Sequence, residues 1–519
     1  MDSPNSALSA LAGLAIFFIL KKLLDTLLGA KKYGRPYPPG PAPKFLIGNA
    51  LDLPLKDSAK HFREVGKELD SDLVFLTALG NHVLFINKRE IADELLERRS
   101  KIYSSRTQIP TTAIMGWDKH NVAMMDYGEE WRLNRKACQQ HLNRRHARAY
   151  EPVQLRQVHK MLDNLLRAPE DFFKHNEILS IAITMDIMYG YQVDSLDDPA
   201  VIAAAKNVAL AIPLLMPGGA LMNIFPILKH VPSWVPGAMA RKRAEECAFW
   251  NNELIRIPLE YVKTRVGAGT ARPSVISDMI KRKDTVGISE QEERVLSNMA
   301  YTAYSAASDT TMSANGTFIH MMLTHPEVQK KAQAEIDMVI GTSRLPTFDD
   351  RASLPYVEAV YREVMRYNPP LSIGVAHASA EDDYYNGYFI PKGTTIFANL
   401  WAIAHDEEKY PEPDKFNPER FFTESGELNG DSRVLAYGFG RRACVGKHVA
   451  SATMWITIAS ILSGFSIDKA RDELGNEIEI DHGYEDLGMI IHKKPFKCSI
   501  LPRSDLVPRL IKEALSEGK

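Results

Sequence analysis

Residues 436–449 read AYGFGRRACVGKHV, and an apolar helical run to Ile461 follows. Gly438, Gly440 and Gly446 surround Cys444, with Arg441 and Arg442 just before it. The cysteine therefore stands where a glycine-rich loop enters a helix. Backbone N–H groups at a helix start point at such a sulfur and favour its thiolate. Three readings of the loop follow: a nucleophile, an iron ligand, or an inert buried cysteine. A nucleophile wants a positioned base, and His448 is one helical turn away. A single thiolate holds a metal only when a cofactor fills the other positions. Haem supplies four nitrogens and leaves an axial site for the protein. The glycines let a flat porphyrin approach the backbone, and Arg442 is placed to meet a propionate.

The rest of the chain narrows the classes. It has 519 residues, 63 Lys plus Arg, 65 Asp plus Glu, and a net charge of −2. This balance excludes a nucleic-acid binder that works by phosphate neutralisation. Apolar residues at 45% exclude an acidic disordered chain. Four cysteines, Cys138, Cys247, Cys444 and Cys498, make no disulfide framework, and no two have metal-knuckle spacing.

Residues 7–20 are almost continuously apolar, and Lys21, Lys22, Lys31 and Lys32 follow. Residues 1–30 read as a membrane anchor whose basic flank leaves the bulk of the chain cytosolic. A cleaved signal peptide and an interfacial helix are the competing readings. Residues 31–49 form a proline-rich hinge, stiff and extended, that holds the following unit off the bilayer. Residues 50–510 read as one large unit, mostly α with minor β, and 511–519 as a flexible tail. Helical patterns fill 88–98, 129–165, 173–189, 238–265, 289–323, 327–340, 354–367 and 446–463. Alternating runs at 73–79 and 82–86 read as a hairpin with a Gly-Asn turn, and 384–396 as a second strand pair. Residues 211–237 carry too many prolines for one helix; they touch a membrane or pack as ordinary core.

The loop closely resembles the haem-binding segment of the cytochrome P-450 monooxygenases, Phe-x-x-Gly-x-Arg-x-Cys-x-Gly, with Tyr437 in place of the phenylalanine. Further marks follow in the family's order. Glu363 and Arg366 look like its buried ion pair, completed by Arg420 of the segment Pro418-Glu419-Arg420-Phe421. Trp131 and Arg135, one helical turn apart, look like the pair that hydrogen-bonds a haem propionate, and His377 like the residue reaching another. Ala306-Ala307-Ser308-Asp309-Thr310-Thr311 resembles the segment whose local break in a long helix makes the oxygen pocket, with Ala307 where glycine is usual. The overall sequence looks most like membrane-bound eukaryotic members. Residues 225–237 and the ending around Lys494-Pro495-Phe496 are similar to fungal (basidiomycete) subfamilies.

The resemblance implies a cytochrome P-450 fold and a haem-thiolate monooxygenase, with Cys444 as iron ligand. Trp131, Arg135, His377 and Arg442 would bind haem b. Thr310 would hold the dioxygen and Asp309 would gate protons. Only about 70 residues follow the loop and none forms a dinucleotide fingerprint. Electrons from NADPH must then arrive through a separate cytochrome P-450 reductase, with cytochrome b5 as an auxiliary donor. Lys447, His448, Arg144, Arg145 and Arg148 form a candidate docking face for it. The implied setting is the endoplasmic reticulum membrane, with a monomeric cytosolic catalytic unit. Candidate substrate walls are 114–117, Ala303, 371–375 and 487–489. They are mostly apolar and favour a neutral lipophilic substrate such as a terpenoid, steroid or aromatic polyketide, in secondary metabolism or xenobiotic oxidation. The rival classes are an isomerase or dehydratase of the same fold, a non-catalytic haem- or lipid-binding protein, and a cysteine-nucleophile hydrolase.

Overall fold

The computed structural model describes residues 13, 34–45, 47–54, 56–216, 219–235, 238–486 and 489–517. Its longer helices are α1 Ser58–Glu68, α2 Glu129–Leu142, α3 Glu151–Arg167, α4 Phe172–Tyr189, α5 Pro199–Leu215 and α6 Met239–Gly267. They continue with α7 Val275–Val286, α8 Glu290–Thr324, α9 Pro326–Val339, α10 Pro355–Tyr367, α11 Lys447–Gly464 and α12 Val507–Glu517. The strands are β1 Leu73–Ala78, β2 Asn81–Ile86, β3 His377–Ala378, β4 Asp383–Tyr385, β5 Tyr388–Ile390 and β6 Thr395–Ala398. Four more complete the set: β7 Phe465–Lys469, β8 Tyr484–Asp486, β9 Ile491–Lys493 and β10 Cys498–Pro502.

Helix α8 is the axis of the helical layer. Ser289 caps it by accepting from the Glu292 N–H at 3.1 Å, and Glu290, Glu292 and Glu293 sit at the positive end of its dipole. Its apolar and small residues are buried nearly all round from Val295 to Leu323, because α4, α10 and α11 pack around it. Trp455, Tyr301, Tyr304 and Phe318 are fully buried in this core. Each such side chain stabilises the fold by about 1.5–3 kcal/mol.

The sheet lies to one side. Strands β1 and β2 pair antiparallel, β2 and β6 parallel, and β3 closes the order β1-β2-β6-β3. The expected first hairpin forms, but its turn is Leu79–Gly80, both at positive φ, and Asn81 already belongs to β2. The two left-handed residues match the strand twist. The second pair turns at Asn386 and Gly387, again both at positive φ.

Three sequence expectations are corrected. The helical run over 129–165 is broken, because Asn143 is extended and its side-chain Oδ1 accepts from the Arg145 and His146 N–H groups. Pro152 then opens α3. The segment from 511 is not a free tail: it is helical to Glu517, and Val507 and Ile511 are buried against the core. The proline-rich stretch is extended but lies along the sheet. Phe75 N–H donates to Pro39 O at 2.7 Å and Phe389 N–H to Pro36 O at 2.8 Å.

Residues 211–237 are broken as expected: α5 ends at Leu215, and short turns Leu221–Ile224 and Pro226–His230 follow. Apart from Gly13, the expected anchor over 1–30 lies outside the described residues, as do 217, 218, 236, 237, 487 and 488. No helix among the described residues is long and apolar enough to cross a membrane.

Candidate active site

The cysteine loop is held from both sides. Cys444 N–H donates to Tyr437 O at 2.7 Å, closing the loop on itself. Gly440 has φ 55°, and a side chain there would bring Cβ within 2.0 Å of Leu96 O, so only glycine fits. The Tyr437 ring is packed as expected, and its hydroxyl meets that of Tyr361 at 3.0 Å. Cys444 is enclosed by the fold, yet its side chain is open to an internal cavity. Burial pushes the thiol up, while the Gly446 backbone, Arg135 and Lys447 pull it down. His448 is not among the groups acting on this thiol. His448 lines a depression on the other side of the loop.

Helix α8 lines the other side of the same cavity with Ala303, Ala306, Ala307, Thr310 and Thr311. About two and a half turns of small residues leave a slot between α8 and the start of α11. The expected local break is not present: α8 stays α-helical through this segment, and Thr310 Oγ1 donates to Ala306 O at 3.0 Å. Asp309 does not line the cavity. It pairs with His492 of β9, Oδ1 to Nε2 at 3.0 Å.

Beside the cysteine loop cluster Arg106, Arg135, Arg442 and His377. Arg106 donates to the carbonyls of Ala123, Val375 and Ala376 at 2.7–2.8 Å. Arg442 donates to Ser104 O at 2.7 Å and Met125 O at 2.8 Å, and its guanidinium lies 4.3 Å from the Trp131 ring. Trp131 therefore acts here as a stacking platform. Arg135 donates to Ala443 O at 2.5 Å, and its Nε is buried without a partner. His377 Nδ1 meets Tyr103 O at 2.8 Å.

These groups repel one another. Burial lowers Arg106, and Arg442 and Arg135 lower it further. Burial and then Arg135 pull Arg442 down to about 9, with partial offset from Asp126 and Tyr127. Burial and Arg106 hold His377 well below its ordinary range, which keeps it neutral. Asp126, the carboxylate that offsets Arg442, is itself exposed. An unpaired buried charge costs about 3–5 kcal/mol. A dianionic ligand bearing two carboxylates would balance the cluster, and the Cys444 thiol would supply a metal donor. Both features fit haem.

Of the sequence-predicted site residues, the structure brings Cys444 and Thr310 to one cavity and Arg135, Arg442, His377 and Trp131 together beside the cysteine loop, and leaves Asp309 just outside the cavity. Arg106 and His492 were not foreseen. Each is a single residue whose partners are far away in sequence, and no spacing rule marks either. The structural triad forms as expected. Glu363 is fully buried, Arg366 meets it at 2.6 and 2.9 Å and Arg420 at 3.1 Å.

A family model described as Cytochrome P450 matches residues 38–499. The chain is 36% identical over 492 residues to Cytochrome P450 monooxygenase 98 of Postia placenta, covering 93% of this chain and 94% of that one. It is 38% identical over 486 residues to Cytochrome P450 monooxygenase claR of Ampulloclitocybe clavipes, covering 92% and 88%. Tryptamine 4-monooxygenase of Psilocybe cyanescens is 33% identical over 476 residues, covering 90% and 93%. With a thiol-bearing slot and a cationic cluster, and matched across nearly its whole length to such relatives, the chain belongs to the cytochrome P450 family and is a haem-thiolate monooxygenase.

Proposed function

We propose that the protein oxidises a small neutral lipophilic substrate, with Cys444 as the haem ligand and a separate flavoprotein reductase as the source of electrons from NADPH. The observation that carries this reading is that Cys444 and Thr310, on opposite elements, line one slot. Haem, when bound, supplies the activation of O₂ and the insertion of one oxygen atom. Cys444 holds the metal, with the Gly446 backbone steadying its thiolate. Arg106, Arg135 and Arg442 hold the propionates, Trp131 stiffens Arg442, and His377 completes the cluster. Thr310 turns its hydroxyl from Ala306 O toward the cavity and holds a proton there; Asp309 replenishes it.

The candidate substrate walls 114–117, Ala303, 371–375 and 487–489 include no carboxylate. A protonated amine such as tryptamine, the substrate named for one relative, would lack a counter-ion there. A neutral terpenoid, steroid or aromatic polyketide fits better.

On the other side of the cysteine loop lies a depression of about 790 Å³ lined by Arg144, Arg148, Lys447 and His448, with Glu151, Asp349 and Glu358 also on its wall. Among the described residues Arg144, Arg148 and Lys447 make no ion pair, so their charge is available to an acidic reductase surface. Cytochrome b5 would use the same face. The apolar run 7–20 with its basic flank supports an endoplasmic reticulum anchor and a cytosolic catalytic unit. The exposed Leu221, Trp234 and Met239 would lie toward the bilayer. Protease treatment of sealed microsomes should digest the main domain; full protection would contradict this orientation.

The experiment that tests the function is NADPH oxidation with purified reductase and a panel of terpenes, steroids, arenes and tryptamine, with products identified. Product from the neutral compounds and not from tryptamine is expected. Product from tryptamine alone would overturn the neutral-substrate reading.

A further inference from the structure

Asp309 stands between the cavity and the outer side of α8. Its neighbours Ala306 and Thr310 line the cavity, and its own carboxylate meets His492 Nε2 at 3.0 Å. The two side chains are 20% and 13% exposed, so solvent reaches the pair only in part. Strand β9, which carries His492, is fastened to the body of the fold. Ser313 Oγ donates to Ile491 O at 2.5 Å, and Ile491 N–H donates to Pro370 O at 3.0 Å. Glu177 of α4 faces the same pair. Burial raises its carboxyl, the Asp309 charge raises it further, and His492 offsets this. Glu485 of β8 lies opposite His492 in the strand register. One imidazole thus stands among three acids, one of them adjacent in sequence to the cavity threonine.

We propose that His492 is a positioning residue that replenishes Asp309 with protons from solvent, with Glu177 as the outer acid of the path. The step is proton transfer alone. The Nε2–H of a protonated His492 passes to Asp309 Oδ1, and Asp309 gives its proton to the Thr310 side. The imidazole left behind is neutral with its proton on Nδ1. A turn of the ring carries the bare Nε2 to the Glu177 side, where it takes a proton from water, and presents Nδ1–H to Asp309. A carboxylate and an imidazole at hydrogen-bond distance are suited to this, because each can accept and donate a proton along the contact. The proposal rests on the role given above to Asp309.

The test has two arms on the full-length holoprotein. The first follows the His492 imidazole by NMR titration in the reduced, carbon-monoxide-bound form. Asp309→Asn should lower its midpoint and Glu177→Gln should lower it less; no movement with Asp309→Asn overturns the pairing. The second measures product per NADPH oxidised against pH for wild type, His492→Gln and His492→Lys. Both variants should lose about tenfold in that ratio and lose the wild-type rise below the His492 midpoint. A wild-type ratio in His492→Lys means the residue is only a charge partner and overturns the relay. Thr310→Ala is run in parallel. If it uncouples turnover while the His492 variants do not, the Asp309–Thr310 reading stands and the relay falls. If none of them uncouples, both fall.

Discussion

Thr310 uses its hydroxyl to bond the Ala306 carbonyl one turn back, as hydroxyls in mid-helix commonly do. The bond is local and easily exchanged, so the hydroxyl is free to serve the cavity it lines. Thr311 lines the same cavity and is 8% exposed. Thr310→Ala should therefore keep haem content and substrate binding but lower product per NADPH, with peroxide rising in step. Thr311→Ala should leave the ratio near wild type. The reverse pattern would show that Thr311 is the working hydroxyl. Cys444, Thr310 and Arg135 were legible because each lies in a short local pattern: a glycine-rich helix start, an acid–hydroxyl pair, a one-turn Trp–Arg spacing. Arg106 was not, since its meaning comes from the Val375 and Ala376 carbonyls and from Arg442. The stacking role of Trp131 was not readable for the same reason. Only the folded chain shows that Arg442 covers its ring.

At the scale of elements, the triad Glu363, Arg366 and Arg420 ties α10 to the segment Pro418–Phe421. Arg366 also donates to Ala404 O, and the Asn417 N–H donates to Glu363 Oε1, so the loss of either charge strands several groups at once. Glu363→Ala or Arg366→Ala should destabilise by about 3–5 kcal/mol. Expression with haem quantitation checks this: little holoprotein is expected, and normal yield in both variants would mean the pair is dispensable. The long helices with a clear apolar stripe were legible in the sequence. The division at Asn143 was not, because the apolar rhythm continues across it while one side chain caps the next turn. Helix α5 was missed for a related reason: Pro213 suggests an end, yet the helix tolerates it in its last turn. The strand register β2–β6 was beyond reach, since it pairs Val83 with Thr395 across most of the chain.

For the whole molecule, buried neutral imidazoles set the response to acid. Burial holds His320 at about 3 and His405 at about 3, against an ordinary value near 6.5. His405 is stacked on Trp401 at 4.0 Å and donates from Nδ1 to Trp401 O. In the unfolded chain these groups take up protons near pH 6.5; in the folded chain they do so only near 3. The unfolded state therefore binds more protons between those values. Stability is fully present above about pH 6.5 and falls as pH drops toward 3. The urea midpoint should decline from pH 7 to pH 5, and His405→Gln should narrow the gap between the two. An unchanged gap would show that His405 does not contribute. The charge balance that excluded nucleic acid was readable from composition alone. This acid sensitivity was not, because it depends on which histidines the fold buries.

The central claim is that Cys444 alone among the four cysteines holds the haem. Cys138 and Cys247 are buried, burial raises each thiol to about 12, and Cys498 is raised likewise. Cys138 borders the cavity that Cys444 and Thr310 line but is 1% exposed, whereas Cys444 is exposed to it. The direct measurement is the carbon-monoxide difference spectrum of the reduced protein, taken on wild type and on the four single Cys→Ser variants. The account predicts the thiolate-type band in wild type, Cys138→Ser, Cys247→Ser and Cys498→Ser, and its absence in Cys444→Ser. A thiolate-type band retained in Cys444→Ser would contradict it.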